Sequence, residues 1–282
     1  LYVAGTLDAG KPPAWLQIAR LGAGAYVKGA FQAVGRAIRR VLEMVYGVYF
    51  IVVFILWIVP TWAIVRTYKD HVAAGRFTSA ALKVLFALAG IRVKVVGKEY
   101  MATPGAKVYA ANHASYFDVL PVMMGLGVSY RFVAKGEVND MPLIGTFLNK
   151  MGHLSFDRHK ADARLKQVDE IEECLRQGDS VFVYPEGTFV PEAGVRPFQL
   201  GAFRGAVATG APVIPVSLKG TRQFLRDGTI LPRPTTVTIT LSAPIYPAKS
   251  TANGETGQLQ EMVRLRDLAR EVIARYSGEE AL

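Results

Sequence analysis

The sequence predicts an α/β domain, a mostly parallel central sheet flanked by helices, with an N-terminal helical membrane-associated element. Three observations predict it. From residue 91 onward, short β-branched or aromatic runs alternate with helical patterns, the mark of strand–helix–strand units. Residues 44–65 contain no charged side chain. The basic excess of the chain lies wholly in residues 1–98, around that apolar run.

Residues 1–40 read as a basic linker or the tail of an upstream region, since the chain opens on Leu1 and lacks the pattern of a secretory signal. Residues 41–90 read as a membrane-associated helical hairpin or a transmembrane helix. The 22 uncharged residues 44–65 would span roughly 33 Å as a helix, enough for a bilayer core. Pro60 removes a backbone donor and is expected to divide the run into 44–59 and a shorter piece. Basic residues flank both ends, so the positive-inside rule gives no orientation. Both features point to two helices that enter and leave one leaflet, the second near 79–89. A single spanning helix and a helix buried in a soluble core are the alternatives.

Residues 91–246 read as the α/β domain. Strands are expected at 91–96, 107–111, 130–134, 153–156, 180–184, 212–218 and 236–241. Helices are expected at 118–126, 141–151, 162–177 and 201–209. Residues 247–282 read as a linker, 247–257, and an amphipathic helix over 258–276.

Composition narrows the chemistry. The chain has 282 residues, room for one sizeable core and an appendage, and it is 51% hydrophobic. One cysteine, Cys174, excludes an internal disulfide and fits a reducing compartment. Four histidines, without Cys-x-x-Cys or His-Glu-x-x-His, argue against zinc. No metal and no tightly bound cofactor is expected. Residues 1–98 hold 13 Lys/Arg against 3 Asp/Glu, whereas 99–282 hold 20 of each. Basic charge interleaved with apolar runs points to an anionic bilayer surface rather than to nucleic acid.

Asn112-His113-Ala114-Ser115-Tyr116-Phe117-Asp118 stands between an apolar strand and an apolar helix. His113 and Asp118 have the types of a general base and its orienting carboxylate. Ser115-x-x-Asp118 also fits a helix capping box, and the two roles are compatible. Ligands of α/β sheets bind beyond the carboxyl ends of strands, where His113 falls. Tyr184-Pro185-Glu186-Gly187-Thr188 follows another strand end; a Pro-Gly turn is the plain reading, and Glu186 could instead bind hydroxyls. Phe156-Asp157-Arg158 follows a third. There Arg158 fits a surface ion pair or a phosphate clamp. Lys135 is a weaker candidate for the same clamp.

Taken together and in order, these segments resemble the glycerolipid acyltransferase superfamily typified by 1-acylglycerol-3-phosphate acyltransferase. Its Asn-His-x4-Asp motif is matched by Asn112, His113 and Asp118. Its Asp-Arg motif is matched by Asp157-Arg158 after Phe156, and its Phe-Pro-Glu-Gly-Thr-Arg motif by residues 184–189. Its Val/Ile-Pro-Val strand is matched by Ile214-Pro215-Val216. Similarity extends through Phe132–Lys135, Pro142-x-x-Gly145 and Phe198-x-x-Gly201-Ala202-Phe203, and covers about residues 92–242. Phe189 departs from the pattern, standing where the family often has Arg. Leu1–Gly5 is similar to the tail after fatty-acid adenylating domains in fused synthetase–acyltransferases.

The resemblance implies acyl transfer from acyl-CoA or acyl-ACP to a lysophospholipid hydroxyl at a membrane, on the cytoplasmic face of a bacterial inner membrane. His113 and Asp118 are then catalytic. Asn112, Arg158, Glu186, Gly187, Thr188 and Lys135 are then substrate-binding, with Arg158 on the acceptor phosphate. Backbone N–H groups near residues 112–115 are candidates for the oxyanion. The rival readings are a thioesterase or lipase using Ser115, and a catalytically silent membrane-surface adaptor.

Overall fold

The computed structural model describes residues 14–127, 130–156, 161–188, 190, 192–225, 231–248 and 255–282. The chain forms two compact units, Leu1–Tyr46 and Gly47–Leu282. In the first, the described residues are helical, as part of α1 (Ala14–Val65). Residues 14–40 are therefore helix rather than the linker read from the sequence.

The second unit opens with the end of α1, followed by α2 (His71–Leu88). Two side-chain hydrogen bonds tie them: Tyr49 Oη donates to Leu88 O at 2.8 Å, and Trp57 Nε1 donates to Ala81 O at 2.7 Å. The paired positions run in opposite directions, so the two segments form an antiparallel hairpin. Pro60 does not divide α1, contrary to expectation. A proline inside a helix costs about 3 kcal/mol in isolation. Here Trp57 pins the helix one turn earlier, and Val65, fully buried with Ala74 and Phe147, anchors it beyond. Lys28–Val65 is long and apolar enough to cross a bilayer, by length and composition. Val48, Val52, Ile55 and Val59, spaced three and four apart, are all exposed.

The sheet has seven strands: β1 (Arg92–Val96), β2 (Val108–Ala111), β3 (Arg131–Lys135), β4 (Leu154–Phe156), β5 (Val181–Val183), β6 (Val213–Lys219) and β7 (Thr236–Leu241). Their order is β1-β7-β6-β2-β5-β3-β4. All pairings are parallel except β6 with β7. Each expected strand forms within a residue of its expected ends, because β-branched runs flanked by turn residues carry that signal locally. The remaining helices are α3 (Val119–Leu126), α4 (Gly136–Asn139), α5 (Pro142–Lys150), α6 (Ala161–Arg176), α7 (Gly201–Thr209), α8 (Thr221–Phe224) and α9 (Glu255–Ser277). Helix α9 starts inside the expected linker, of which residues 249–254 lie outside those described.

Side chains alternate across the pleat. Val108, Ala110, Val181 and Val183 face one way, into a core with Ile171, Leu175, Phe203, Leu265 and Ile273. The intervening residues Tyr109 and Phe182 face the other way and stack, with Tyr130 and Phe132 beside them. The carboxyl ends of β2 and β5 are neighbours in register, with Ala110 opposite Val183. The segments that follow these two strands are thereby brought side by side.

Candidate active site

Strand β2 leaves the sheet after Ala111, and the Asn112 side chain continues its ladder. Asn112 Oδ1 accepts from Leu218 N at 2.8 Å, and Nδ2 donates to Leu218 O at 3.0 Å. The residue is 1% exposed. An amide presents one acceptor and one donor at the spacing of a peptide group, which explains asparagine here. The sequence expectation put Asn112 on substrate; the structure engages both of its polar atoms with β6.

The next residues turn back into a 3-10 turn, Tyr116–Asp118, which leads into α3. Asp118 is fully buried, and its Oδ2 accepts three hydrogen bonds: His113 Nδ1 at 2.7 Å, Ala114 N at 2.7 Å and Ser115 N at 2.9 Å. Capping and histidine orientation thus coexist on one carboxylate. Since a carboxylate oxygen can only accept, the ring must donate from Nδ1. Nε2 then carries the lone pair of the neutral imidazole. Ser115 Oγ accepts from Phe117 N and donates to Leu225 O at 3.1 Å, and the residue is 1% exposed.

Glu186 approaches from the segment after β5. Its Oε1 accepts from His113 N at 2.8 Å and its Oε2 from Arg196 N at 3.1 Å. Burial pushes this carboxyl up from the usual glutamate range, and the two backbone donors pull it partly back. The carboxylate braces the His113 backbone from within; the hydroxyl-binding role read from sequence is not the contact seen. Tyr184 lies face to face with the His113 ring, centroids 4.3 Å apart. Burial, Asp118 and Tyr130 hold its phenol well above the usual range, so it stays neutral.

Of the backbone groups expected for the oxyanion, the amides of His113, Ala114 and Ser115 are donated to Glu186 or Asp118. Gly187 takes a left-handed φ of 79° in the turn that its N–H closes onto Tyr184 O. Thr188 beside it is exposed. Lys135 ends β3 in register with Phe156 of β4. Asp157, Arg158 and Phe189 lie outside the described residues, as does the segment Leu1–Gly5.

The Acyltransferase family profile matches residues 92–219, the stretch that carries β1 to β6 and all of this geometry. The resemblance to acyltransferases rests on this segment. The chain is 36% identical over 148 residues to a chloroplast 1-acyl-sn-glycerol-3-phosphate acyltransferase of Brassica napus, covering 51% of this chain and 42% of that protein. It is 34% identical over 131 residues to human lysophosphatidylcholine acyltransferase 1, covering 45% of this chain and 23% of that protein. The chain spans about half the length, or less, of the curated relatives it matches. A crystal structure of the 1-acyl-sn-glycerophosphate acyltransferase PlsC from Thermotoga maritima shares the fold, with a TM-score of 0.65 at 23% identity, covering 86% of this chain and 97% of that one.

Sequence reasoning missed two features of the acyltransferase domain and its surroundings. One is the stacking of Tyr184 on His113, although Tyr184 heads a motif that was singled out. The other is Arg222, at the carboxyl end of β6, which meets Glu279 57 positions later. Nothing in the local pattern of either residue signals that pair.

Proposed function

We propose that this chain transfers a fatty acyl group from an acyl thioester, acyl-CoA or acyl-ACP, to the free hydroxyl of a lysophospholipid such as 1-acylglycerol-3-phosphate. The observation that carries the proposal is the 2.7 Å contact of His113 Nδ1 with a buried Asp118, at the carboxyl end of a central strand. That contact leaves Nε2 as the proton-accepting atom.

In this reading the acceptor hydroxyl gives its proton to His113 Nε2 while its oxygen attacks the thioester carbonyl. The tetrahedral intermediate collapses, the C–S bond breaks, and the proton on Nε2 passes to the departing thiolate. Asp118 holds the tautomer and stabilises the imidazolium. Arg158 and Lys135 are proposed to meet the acceptor phosphate, and Gly187 and Thr188 its glycerol portion. The exposed apolar face of α1 supports seating at a membrane, and the basic residues near it favour an anionic cytoplasmic leaflet, as in a bacterial inner membrane. A Ser115-based hydrolase is disfavoured, since that hydroxyl is buried and donated to Leu225 O.

The test is direct. Purified protein in detergent receives a labelled palmitoyl thioester and a panel of lysophospholipids, including lysophosphatidic acid and lysophosphatidylcholine, and products are identified by mass. Formation of a diacyl product that disappears in a folded His113→Ala variant supports the reading. Thioester hydrolysis alone, or transfer that survives His113→Ala, refutes it. Vesicle binding without transfer to any acceptor would favour the adaptor.

A further inference from the structure

The segment that follows α9 reaches back to the acyltransferase site. Val195 N donates to Glu280 O at 2.8 Å, Leu282 N donates to Val195 O at 3.0 Å, and Val195 forms a parallel bridge with Ala281. Glu279 Oε2 accepts from Gly194 N at 3.1 Å. Arg222 grips the same carboxylate with two nitrogens, Nε to Oε1 at 2.7 Å and Nη2 to Oε2 at 3.0 Å, while its Nη1 donates to Val190 O at 2.7 Å. From α9, Arg270 donates to Val195 O and Arg196 O. Val190 and residues 194–196 are therefore held by residues far away in sequence.

The last residue of that stretch touches the bracing carboxylate directly. Arg196 N holds Glu186 Oε2, and Glu186 Oε1 holds His113 N. Hydrogen bonds at either end, joined by the covalent backbone from Gly194 to Arg196, thus lead from Glu279 through Glu186 to the His113 backbone. All three guanidinium nitrogens of Arg222 donate within the protein. Burial works against its charge, but the hydrogen bonds to Glu279 outweigh that and keep it firmly cationic. Arg222 also lies within the field of Asp118 and Glu186.

We propose that Glu279, gripped by Arg222, is a positioning residue for the acyl-transfer reaction. The pair clasps the segment after Glu-Gly-Thr so that Glu186 holds His113 in register with the acceptor. This rests on the functional reading above. Paired charges with little exposure are worth more than surface pairs, because removing one strands the other.

Two variants in the full-length protein in detergent test it. Glu279→Ala takes the carboxylate away from both Arg222 and Gly194 N; Glu279→Gln keeps an acceptor for Gly194 N without the charge. We expect kcat to fall at least about tenfold in Glu279→Ala, with the acyl-thioester KM unchanged and the acceptor KM raised, and to recover partly in Glu279→Gln. If Glu279→Ala does not fold, Glu279→Gln carries the kinetic test. Hydrogen exchange on Glu279→Gln gives a readout independent of activity. Amides of residues 192–196 should exchange at least about fivefold faster, with those of β7 unchanged. Wild-type kinetics per folded molecule together with wild-type exchange overturns the clasp. Unequal loss of stability with unchanged kcat and KM overturns its role in the reaction. A wild-type protein that transfers no acyl group refutes the functional reading instead, and the exchange result then decides the clasp alone.

Discussion

The imidazole of His113 stacks on the phenol of Tyr184, with ring planes 20° apart and centroids separated by 4.3 Å. The imidazole is thus held in its plane by an aromatic face and in its tautomer by a carboxylate. The Tyr184 hydroxyl itself is buried without a hydrogen-bond partner among the described residues.

It follows that the ring of Tyr184 matters and its hydroxyl does not. Tyr184→Phe should keep wild-type turnover and hold or raise stability by up to about 1 kcal/mol, since an unsatisfied buried hydroxyl is removed. Tyr184→Ala should lose roughly 3 kcal/mol of stability and lower kcat, because the His113 ring loses its support. Paired melting curves and steady-state rates separate the two.

Replacing Asp118 by asparagine tests the charge of the carboxylate. An amide oxygen in the place of Oδ2 can accept from all three donors, so the fold should survive, but the negative charge that stabilises the imidazolium is lost. Turnover should drop about 10³- to 10⁴-fold. Activity within tenfold of wild type would mean that the Asp118 charge does not support the reaction.

Asn112→Ala should act on stability rather than on chemistry. It leaves Leu218 N and O unpaired in the core, at a cost of about 2–4 kcal/mol. Activity per folded molecule, measured after correcting for the melting transition, should stay near wild type. A raised acceptor KM at unchanged stability would return Asn112 to a substrate-binding role.

His153 should impose an acid limb on stability. Its Nδ1 accepts from Phe132 N at 3.1 Å. Burial first, and then the charge of Arg131, push its pKa down to about 4. The unfolded chain binds this proton near pH 6.5, whereas the folded chain binds it only near 4. Between those values the unfolded state holds more protons, so stability declines as pH falls from 6.5 towards 4. The full effect is about 3 kcal/mol. Denaturant melts across that window should show it, and His153→Gln should flatten it.

The sequence revealed those parts of this protein whose cause is local. The strand at Thr236–Leu241 and the helix at Gly201–Thr209 are legible residue for residue, because alternation and capping glycines speak for themselves. The His113–Asp118 pair was legible because both partners lie in one turn. Pro60 misled, since the local rule against a helical proline is overruled by Trp57 and Val65, whose partners lie in other elements. Glu186 and Asn112 were legible only in part. Their chemistry suits a substrate, yet they serve backbone groups 73 and 106 positions distant, a separation that no local pattern reports.

Those long spans carry a consequence for biosynthesis. The amide of residue 113 must await residue 186, and the amide side chain of residue 112 must await residue 218. A nascent polypeptide halfway out of the ribosome therefore owns the imidazole but not the frame that arms it. The site is complete only once translation has passed the sixth strand.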